Sequence, residues 1–221
     1  MNSGPSKNTT LLESLSVVIP SLGGEDLEST LNTLIKYEYQ PYEIIVSIPK
    51  GYQLDLSHLN INNLLIINSS SKGQVNQRIE GFKVATGKYV LQMDDDIRVN
   101  KKTIKGLYDY ISSYKKDLAI SPILCESLTK KDIFKFNNEN FNDYSNLVSP
   151  KGFINTCINK IFHGKTFFEQ GEITNLGSNI PIGASNTNLV SSQWLPGGMV
   201  IHKKENLILN NYYPFSGKAY S

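Results

Sequence analysis

Three consecutive carboxylates, Asp94, Asp95 and Asp96, directly follow the apolar segment Tyr89–Met93. In extended backbone, residues two apart point to the same side, so Asp94 and Asp96 can converge on one ligand while Asp95 points elsewhere. Adjacent carboxylates repel one another, and a cation with oxygen ligands, such as Mg²⁺ or Mn²⁺ bridging to substrate phosphates, would relieve that repulsion. The alternative is a solvated acidic loop that caps the next helix. Position alone leaves both interpretations open.

Other metal and phosphate motifs do not fit the sequence. Residues 164–166 (GKT) resemble the end of a Walker A loop, but Asn159 stands where its first glycine is required. A calcium loop that begins at Asp94 would need glycine and glutamate where Val99 and Lys105 stand. The histidines share no ligand spacing, and we expect structural roles for all three: His58, His163 and His202.

The composition describes a folded chain of 221 residues with little net charge. Its 22 basic residues against 20 acidic ones leave a net charge of +2, which argues against nucleic acid as a partner. Cys125 and Cys157 are too few and too far apart for a disulfide framework or a metal site. No apolar run reaches the roughly 18 residues of a membrane helix, and the polar start of the chain does not look like a signal peptide. We therefore expect a cytoplasmic protein.

Apolar runs alternate with helical periodicity over the first 125 residues. Strands are predicted at Leu15–Pro20, Glu43–Ile48, Leu64–Ile67, Tyr89–Met93 and Leu118–Leu124. Helices are predicted around Leu27–Ile35, over Gln74–Ala85 and from Lys101 to Tyr114, with Gln77 and Arg78 placed away from the apolar face of the second. This alternation predicts an α/β fold with a mostly parallel central sheet flanked by helices. Ligands of such sheets bind at the carboxyl ends of the strands, where Asp94 lies.

The second half of the chain has weaker periodicity. A helix is predicted near Phe153–Phe162, a strand within Trp194–Ile201 and a further helix within Lys203–Leu209. No segment is long enough to serve as a linker between domains. We therefore predict a flexible tail over residues 1–14 and a single domain over 15–221, divided into halves at residue 125.

Five segments occur in an order that resembles the family 2 glycosyltransferases of the GT-A fold. They are Leu15–Pro20, Glu43–Ser47, Gly73–Gly81 (GQVNQRIEG), Gly87–Asp96 (GKYVLQMDDD) and Trp194–Gly198 (WLPGG). The resemblance covers residues 15–125 and resumes at Trp194. It implies a Rossmann-like nucleotide-sugar-binding half, an acceptor-side half over 126–221, and an enzyme of the kind that builds bacterial surface polysaccharides.

The resemblance also implies roles for single residues. Those implied to contact the nucleotide sugar are Pro20, Ser21, Ser47, Gly73, Arg78, Asp94 and Asp95. Asp96 and Asp94 are implied to hold Mn²⁺ or Mg²⁺, as the DXD motif of such enzymes does. The implied acceptor-binding residues are Trp194, Leu195, Pro196, Gly197 and Gly198. Without the resemblance, an exposed helix arginine is the favoured interpretation of Arg78, and Trp194 is equally well a core aromatic.

The implied reaction is metal-dependent, inverting transfer of a hexose from a nucleoside-diphosphate sugar. The expected donor is a UDP sugar, and the expected acceptor is a glycan or a lipid-linked molecule, which would allow peripheral association with the inner face of a membrane. The second strand departs from the family because Ser47 stands near its end, where an acidic residue usually contacts the base.

A second departure concerns the general base of the reaction. The acidic motif that supplies it after the WLPGG segment is missing, so the catalytic residues stay unassigned, and we expect the base beyond Ser221, in a longer enzyme of which this is the amino-terminal portion. The alternatives are a noncatalytic nucleotide-sugar or glycan-binding module of the same fold and, less favoured, a sugar nucleotidyltransferase. The latter should have a basic residue in the loop after the first strand, and residues 21–25 (SLGGE) have none.

Overall fold

The computed structural model describes residues 9–115, 118–122, 152–163, 165–169, 171–175, 179 and 190–211. Within them the chain forms β1 (Thr10–Pro20), α1 (Glu25–Ile35), β2 (Tyr39–Pro49), β3 (Leu64–Ser69), α2 (Gln74–Val84), β4 (Tyr89–Met93), α3 (Thr103–Ser113), β5 (Ala119–Ile120), α4 (Gly152–His163) and β6 (Met199–Lys203). None of these helices is long and apolar enough to cross a membrane.

Six strands form one sheet in the order β3-β2-β1-β4-β6-β5. The first four strands are parallel, and β6 runs antiparallel between β4 and β5. The central strands are almost continuously apolar and fully buried, because helices cover the faces of a parallel sheet. The predicted α/β fold with a mostly parallel sheet is confirmed.

The first strand begins earlier than predicted. Residues 10–12 pair with residues 39–41 of β2, so the prediction of a flexible tail through residue 14 is wrong from Thr10 onward. Leu12 is buried, which gives this extension an apolar anchor. The register shifts between Leu12 and Ser16, and Ser14 has a φ of 68°. This irregularity interrupts the apolar alternation and explains why the sequence pattern hid the extension.

The carboxyl-terminal elements also differ from the predictions. Two short 3₁₀ turns, Lys204–Asn206 and Leu209–Asn211, stand where one helix was predicted. Within the segment predicted as strand-like from Trp194, extended pairing starts only at Met199. The end of the predicted fifth strand, Cys125 and residues 212–221 lie outside the described residues.

The chain divides into two compact units. The first comprises residues 1–122 and 196–221, and the second comprises residues 123–195. Residues 196–211 belong to the first unit because β6 pairs with β4 and β5, so the acceptor-side half predicted over 126–221 is not one compact unit. The assignment of nucleotide and acceptor roles to the two halves stays a prediction.

Helix α2 packs closely on β1 at Gly81. A Cβ added to Gly81 would overlap Cγ1 of Val18, which is fully buried in the core. We expect Gly81→Ala to lower the free energy of unfolding by about 2 kcal/mol, because a closely packed interface must move apart. Chemical denaturation measures this change. Gly106→Ala in α3, where an added Cβ meets nothing within 4 Å, is the matched control and should stabilise by up to about 1 kcal/mol. Equal effects of the two changes would contradict the packing argument.

His202 on β6 makes stability depend on pH. Burial lowers the pKa of His202 to about 4, and its buried Nε2 has no hydrogen-bond partner in the described part of the chain. Between pH 6.5 and 4 the unfolded chain binds a proton there that the folded chain does not, so stability falls as the pH falls through this window. We expect a loss of about 3 kcal/mol by pH 4. Urea denaturation at a series of pH values across this range should show that the free energy of unfolding falls less steeply with falling pH for His202→Phe than for the parent chain.

Candidate functional site

The carboxyl ends of β1 and β2 are joined through a side chain of α2. Gln77 is buried, and its Nε2 donates to the carbonyl oxygens of Ser21 at 2.7 Å and Ser47 at 2.6 Å. The backbone N–H of Ser21 also donates to the Ser47 carbonyl at 3.0 Å. The strand ends that should receive a ligand are therefore held at a defined separation by one amide.

The prediction that Gln77 lies away from the buried face of α2 is wrong. Gln77 stands four residues before Gly81, one helical turn away on the same face, and Gly81 is where the helix approaches β1 most closely. A polar residue in line with a buried glycine is the signal that could have identified it. Because the helix sits so close to the sheet, Gln77 can reach backbone groups that a more distant helix would leave to water.

The acidic turn after β4 is tied to β1 and α1. The Ser21 hydroxyl donates to Oδ2 of Asp95 at 2.5 Å, and the Thr30 hydroxyl donates to the Asp95 carbonyl at 2.6 Å. Arg98 donates to the Thr30 hydroxyl at 2.6 Å and to Asp26 at 2.8 Å. Sequence reasoning missed Thr30 and Arg98, because both act through contacts more than 60 residues apart in the chain. The orientation of the turn is thus set by Ser21 after β1, by α1 through Thr30, and by Arg98, which holds the Thr30 hydroxyl.

Arg78 and Asp94 form an ion pair at the site. The side chains are 13% and 25% exposed, respectively. Burial raises the pKa of Asp94 above its ordinary value, the neighbouring charges of Asp96 and Asp95 raise it further, and Arg78 opposes both effects. Nε of Arg78 is buried and has no hydrogen-bond partner among the described residues. The pair is therefore a partly desolvated charge site rather than a surface salt bridge.

The loop before β6 also contacts this end of the sheet. The carbonyl of Gly198 accepts from the backbone N–H of Asp94 at 2.8 Å. The carbonyl of Gly197 accepts from Gln92 at 3.0 Å and from Arg78 at 3.4 Å. Gly198 thus contacts the carboxylate turn through its backbone, and Gly197 contacts β4 and Arg78, all more than 100 residues away in sequence.

Asp96 differs from its two neighbours in the turn. It is exposed and makes no ion pair or hydrogen bond within the described ranges, whereas Asp94 is paired with Arg78 and Asp95 with Ser21. In the described part of the chain, no cluster of three histidine, cysteine, aspartate or glutamate residues is arranged to hold a metal. A cation here would therefore take one or two protein carboxylates and draw its other ligands from water or a bound molecule, as Mg²⁺ commonly does.

The remaining candidate residues occupy different surroundings. Pro20 is buried at the end of β1, and Ser47 is fully buried with a hydroxyl that has no partner among the described residues. Gly73 precedes α2 with a φ of 132°, a conformation that favours glycine, and its N–H points toward Oε1 of Gln77 at 3.4 Å. Trp194 and Leu195 are half-buried in the second unit, while Pro196 belongs to the first.

An open cavity of about 570 Å³ lies beside the ends of β2 and β3. Its lining residues are Lys50, Gly51, Tyr52, Gln53, Asn68, Ser69, Ser70 and Glu80. Tyr52 is exposed, so the cavity offers one aromatic face among polar groups. Such a lining suits a flat heterocycle that also forms hydrogen bonds.

Comparisons with known proteins bear on the family and the fold of the chain. The model of "Glycosyl transferase family 2" matches residues 16–169. No curated protein sequence matches the chain. Among solved structures, the mannosyltransferase PcManGT from Pyrobaculum calidifontis, in complex with GDP-Man and Mn²⁺, is similar with a TM-score of 0.52 and 13% identity, over 91% of this chain and 47% of that one. S. aureus TarS 1–349 shares 23% identity over 53% of this chain and 40% of its own, with a TM-score of 0.41. The chain thus spans less than half the length of these two proteins.

Proposed function

This chain belongs to glycosyl transferase family 2, and from that premise we propose that it binds a nucleoside-diphosphate sugar at the Asp94–Asp96 turn and transfers the sugar to a glycan or lipid-linked acceptor. One observation carries the proposal. The turn at the carboxyl end of β4 combines a half-buried, cation-paired carboxylate at Asp94 with an exposed carboxylate at Asp96 that has no described partner. The setting that we propose is the synthesis of bacterial surface polysaccharide.

The donor's diphosphate would lie between α2 and the turn. Helix α2 begins at Gln74 without a side-chain cap at Gly73, so the N–H groups of its first turn can donate hydrogen bonds to phosphate oxygens. Arg78, one turn further on, carries a guanidinium that the Asp94 carboxylate already holds beside this position. An incoming diphosphate would compete with Asp94 for the guanidinium, and a bidentate contact to phosphate suits arginine particularly well.

A divalent cation fits the exposed carboxylate. Asp96 would be its principal protein ligand, and Asp94 a second ligand once phosphate has engaged Arg78. When bound, such an ion neutralises charge on the leaving nucleoside diphosphate. Ser21 and Thr30 contribute by holding Asp95 and its backbone, so that Asp96 faces outward. The mannosyltransferase of similar fold was solved with Mn²⁺, which agrees with the choice of Mn²⁺ or Mg²⁺.

We propose that the nucleoside base occupies the cavity at the ends of β2 and β3, with Tyr52 as the stacking surface. Direct contact with the hydroxyl of Ser47 is not part of this proposal, because that side chain is fully buried. Ser47 instead contributes its carbonyl to the Gln77 contact that sets the strand ends. A UDP sugar remains the predicted donor.

The acceptor side is proposed on the WLPGG segment, Trp194–Gly198. Gly197 and Gly198 contact Arg78 and the backbone of Asp94, so an acceptor bound there would lie next to the donor's reacting carbon. Transfer with inversion, and of a hexose, follows the family expectation. We assign no general base among the described residues.

Calorimetric titration with UDP, GDP and dTDP, each with and without Mn²⁺, tests the donor site. We expect one of the three to bind in the presence of Mn²⁺ and to bind at least about tenfold more weakly without it, since an ion held by Asp96 and Asp94 would offset the negative charge of the diphosphate. Absence of binding by all three under both conditions would refute the proposal. Hydrolysis of the matching nucleotide sugar then separates an enzyme from a noncatalytic binding module.

A further inference from the structure

Helix α4 (Gly152–His163) has one strongly apolar side. At helical spacing its large apolar residues fall within half of the circumference: Phe153, Ile154, Ile158, Ile161 and Phe162. The opposite half carries Asn155, Thr156 and Asn159. A helix of this type normally buries its apolar side in the protein and turns its polar side to water.

The orientation of α4 is the reverse of the normal one. Phe153, Ile161 and Ile154 are 81%, 75% and 73% exposed, whereas Asn159 is only 4% exposed and donates to the Thr166 carbonyl at 3.2 Å. Asn155 and Thr156, which share the side of Asn159, are half-buried. The apolar side therefore faces away from the unit that contains the helix. An apolar surface of this size on a folded protein is a feature of interaction sites.

The charges around α4 indicate what covers this surface. The helix itself carries no aspartate or glutamate but has one lysine, Lys160, and the nearest acids along the chain are Asp143 and Glu169. Lys160 is exposed within the helix and has no described acidic partner, while Lys165 is paired with Glu172 at 2.5 Å. Two copies of this chain packed helix to helix through α4 would bring two Lys160 side chains into one contact, and neither helix carries an acid to pair with them. Anionic lipid headgroups would complement both the lysine and the apolar side chains.

We propose that α4 binds the surface of an anionic lipid bilayer, lying in the plane of the interface with Phe153, Ile154, Ile158, Ile161 and Phe162 inserted among the acyl chains. The helix is 12 residues long, too short to span a bilayer but sufficient for an interfacial position. This inference goes beyond the donor site and does not depend on catalysis. It assigns the chain a partner, the membrane surface, at which a lipid-linked acceptor would be available.

Flotation of the full chain with vesicles tests the proposal in the absence of nucleotide and acceptor. With vesicles of 70% phosphatidylcholine and 30% phosphatidylglycerol we expect clear co-flotation. Phosphatidylcholine alone should bind less, and 0.5 M salt should reduce binding to the anionic vesicles. The double change Phe153→Ser/Ile161→Ser should lower the partition coefficient at least about tenfold, because two inserted side chains are lost. Lys160→Gln should lower it about fivefold.

A matched control is Ile208→Ser, which removes an exposed apolar side chain of the first unit and should leave partitioning unchanged. Circular dichroism should show the same thermal unfolding for all variants, since the altered side chains are exposed. Equal loss of binding with Ile208→Ser, or no co-flotation of the parent chain, would overturn the proposal. So would a concentration-dependent dimer that Phe153→Ser/Ile161→Ser disrupts while vesicles stay unbound. Nucleotide titration of the same variants shows whether donor binding is intact. A failure of the membrane proposal can therefore be distinguished from a failure of the proposed donor site.

Discussion

Replacing Arg78 with methionine is expected to lower the free energy of unfolding by about 3 kcal/mol at pH 7, because the change leaves the buried charge of Asp94 without its partner. Methionine preserves much of the aliphatic volume of arginine. The expected loss of stability therefore measures the missing charge rather than missing packing contacts. Urea denaturation at pH 7 measures it. At pH 5 the penalty should be smaller, since burial already raises the pKa of Asp94 and loss of Arg78 raises it further, which lets the folded state take up a proton.

A matched control lies on the same helix. Lys83→Met removes the cation of an exposed pair with Glu80 and should change stability by less than about 0.5 kcal/mol. The double change Arg78→Met/Asp94→Asn should recover more than half of the loss, because neutral asparagine removes the uncompensated charge. If the double variant is as unstable as Arg78→Met alone, or if Lys83→Met costs as much, the ion pair is not the cause.

Replacing Asp96 with asparagine is expected to weaken donor binding in the presence of Mn²⁺ by at least about tenfold, which is the whole metal-dependent gain, while leaving stability unchanged. The carboxylate is exposed and makes no described contact, so the fold does not depend on it. As the proposed principal metal ligand it supplies a charge that an amide oxygen replaces poorly. Calorimetric titration with the preferred nucleoside diphosphate, with and without Mn²⁺, measures the effect.

Two controls make the Asp96 result specific. Asp109→Asn removes an exposed acid on α3 that is paired with Lys105, and it should bind donor as the parent chain does. Binding measured without Mn²⁺ should be the same for Asp96→Asn and the parent, because the loss is expected in the metal-dependent part alone. Unchanged metal-dependent binding by Asp96→Asn would remove this residue from the proposed metal site and leave Asp94 and Asp95 to be tested.

Much of the first unit could be predicted because its signals are local. The apolar run Tyr89–Met93 followed by three aspartates identified both a buried strand and the charged turn at its carboxyl end. The limits of helices α2 and α3 were predicted to within two residues. Apolar spacing indicates both helices, and Gly87 marks the end of α2. The order of the predicted strands and helices along the chain, together with the WLPGG motif, was enough to indicate the family.

The pairing and burial of the site residues were decided by contacts between residues far apart in the sequence. Which carboxylate is paired, buried or exposed depends on Arg78, Ser21 and Thr30, and a sequence of three identical aspartates holds no such distinction. Gln77 faces inward because Gly81 lets α2 approach β1, which is a property of the packed pair of elements.

Helix α4 illustrates the difference between what the sequence predicts and what the tertiary structure decides. A helix was predicted near Phe153–Phe162 despite the weak periodicity of this half of the chain, and the structure confirms it as Gly152–His163. The pattern could not say which side faces the protein, because periodicity sets only the angle between the two sides. Only the tertiary structure, by burying Asn159 and exposing Phe153, places the apolar side outward. The sequence alone therefore determined the elements and the chemical groups they carry, whereas tertiary packing decided their partners, because packing sets which groups lose contact with water.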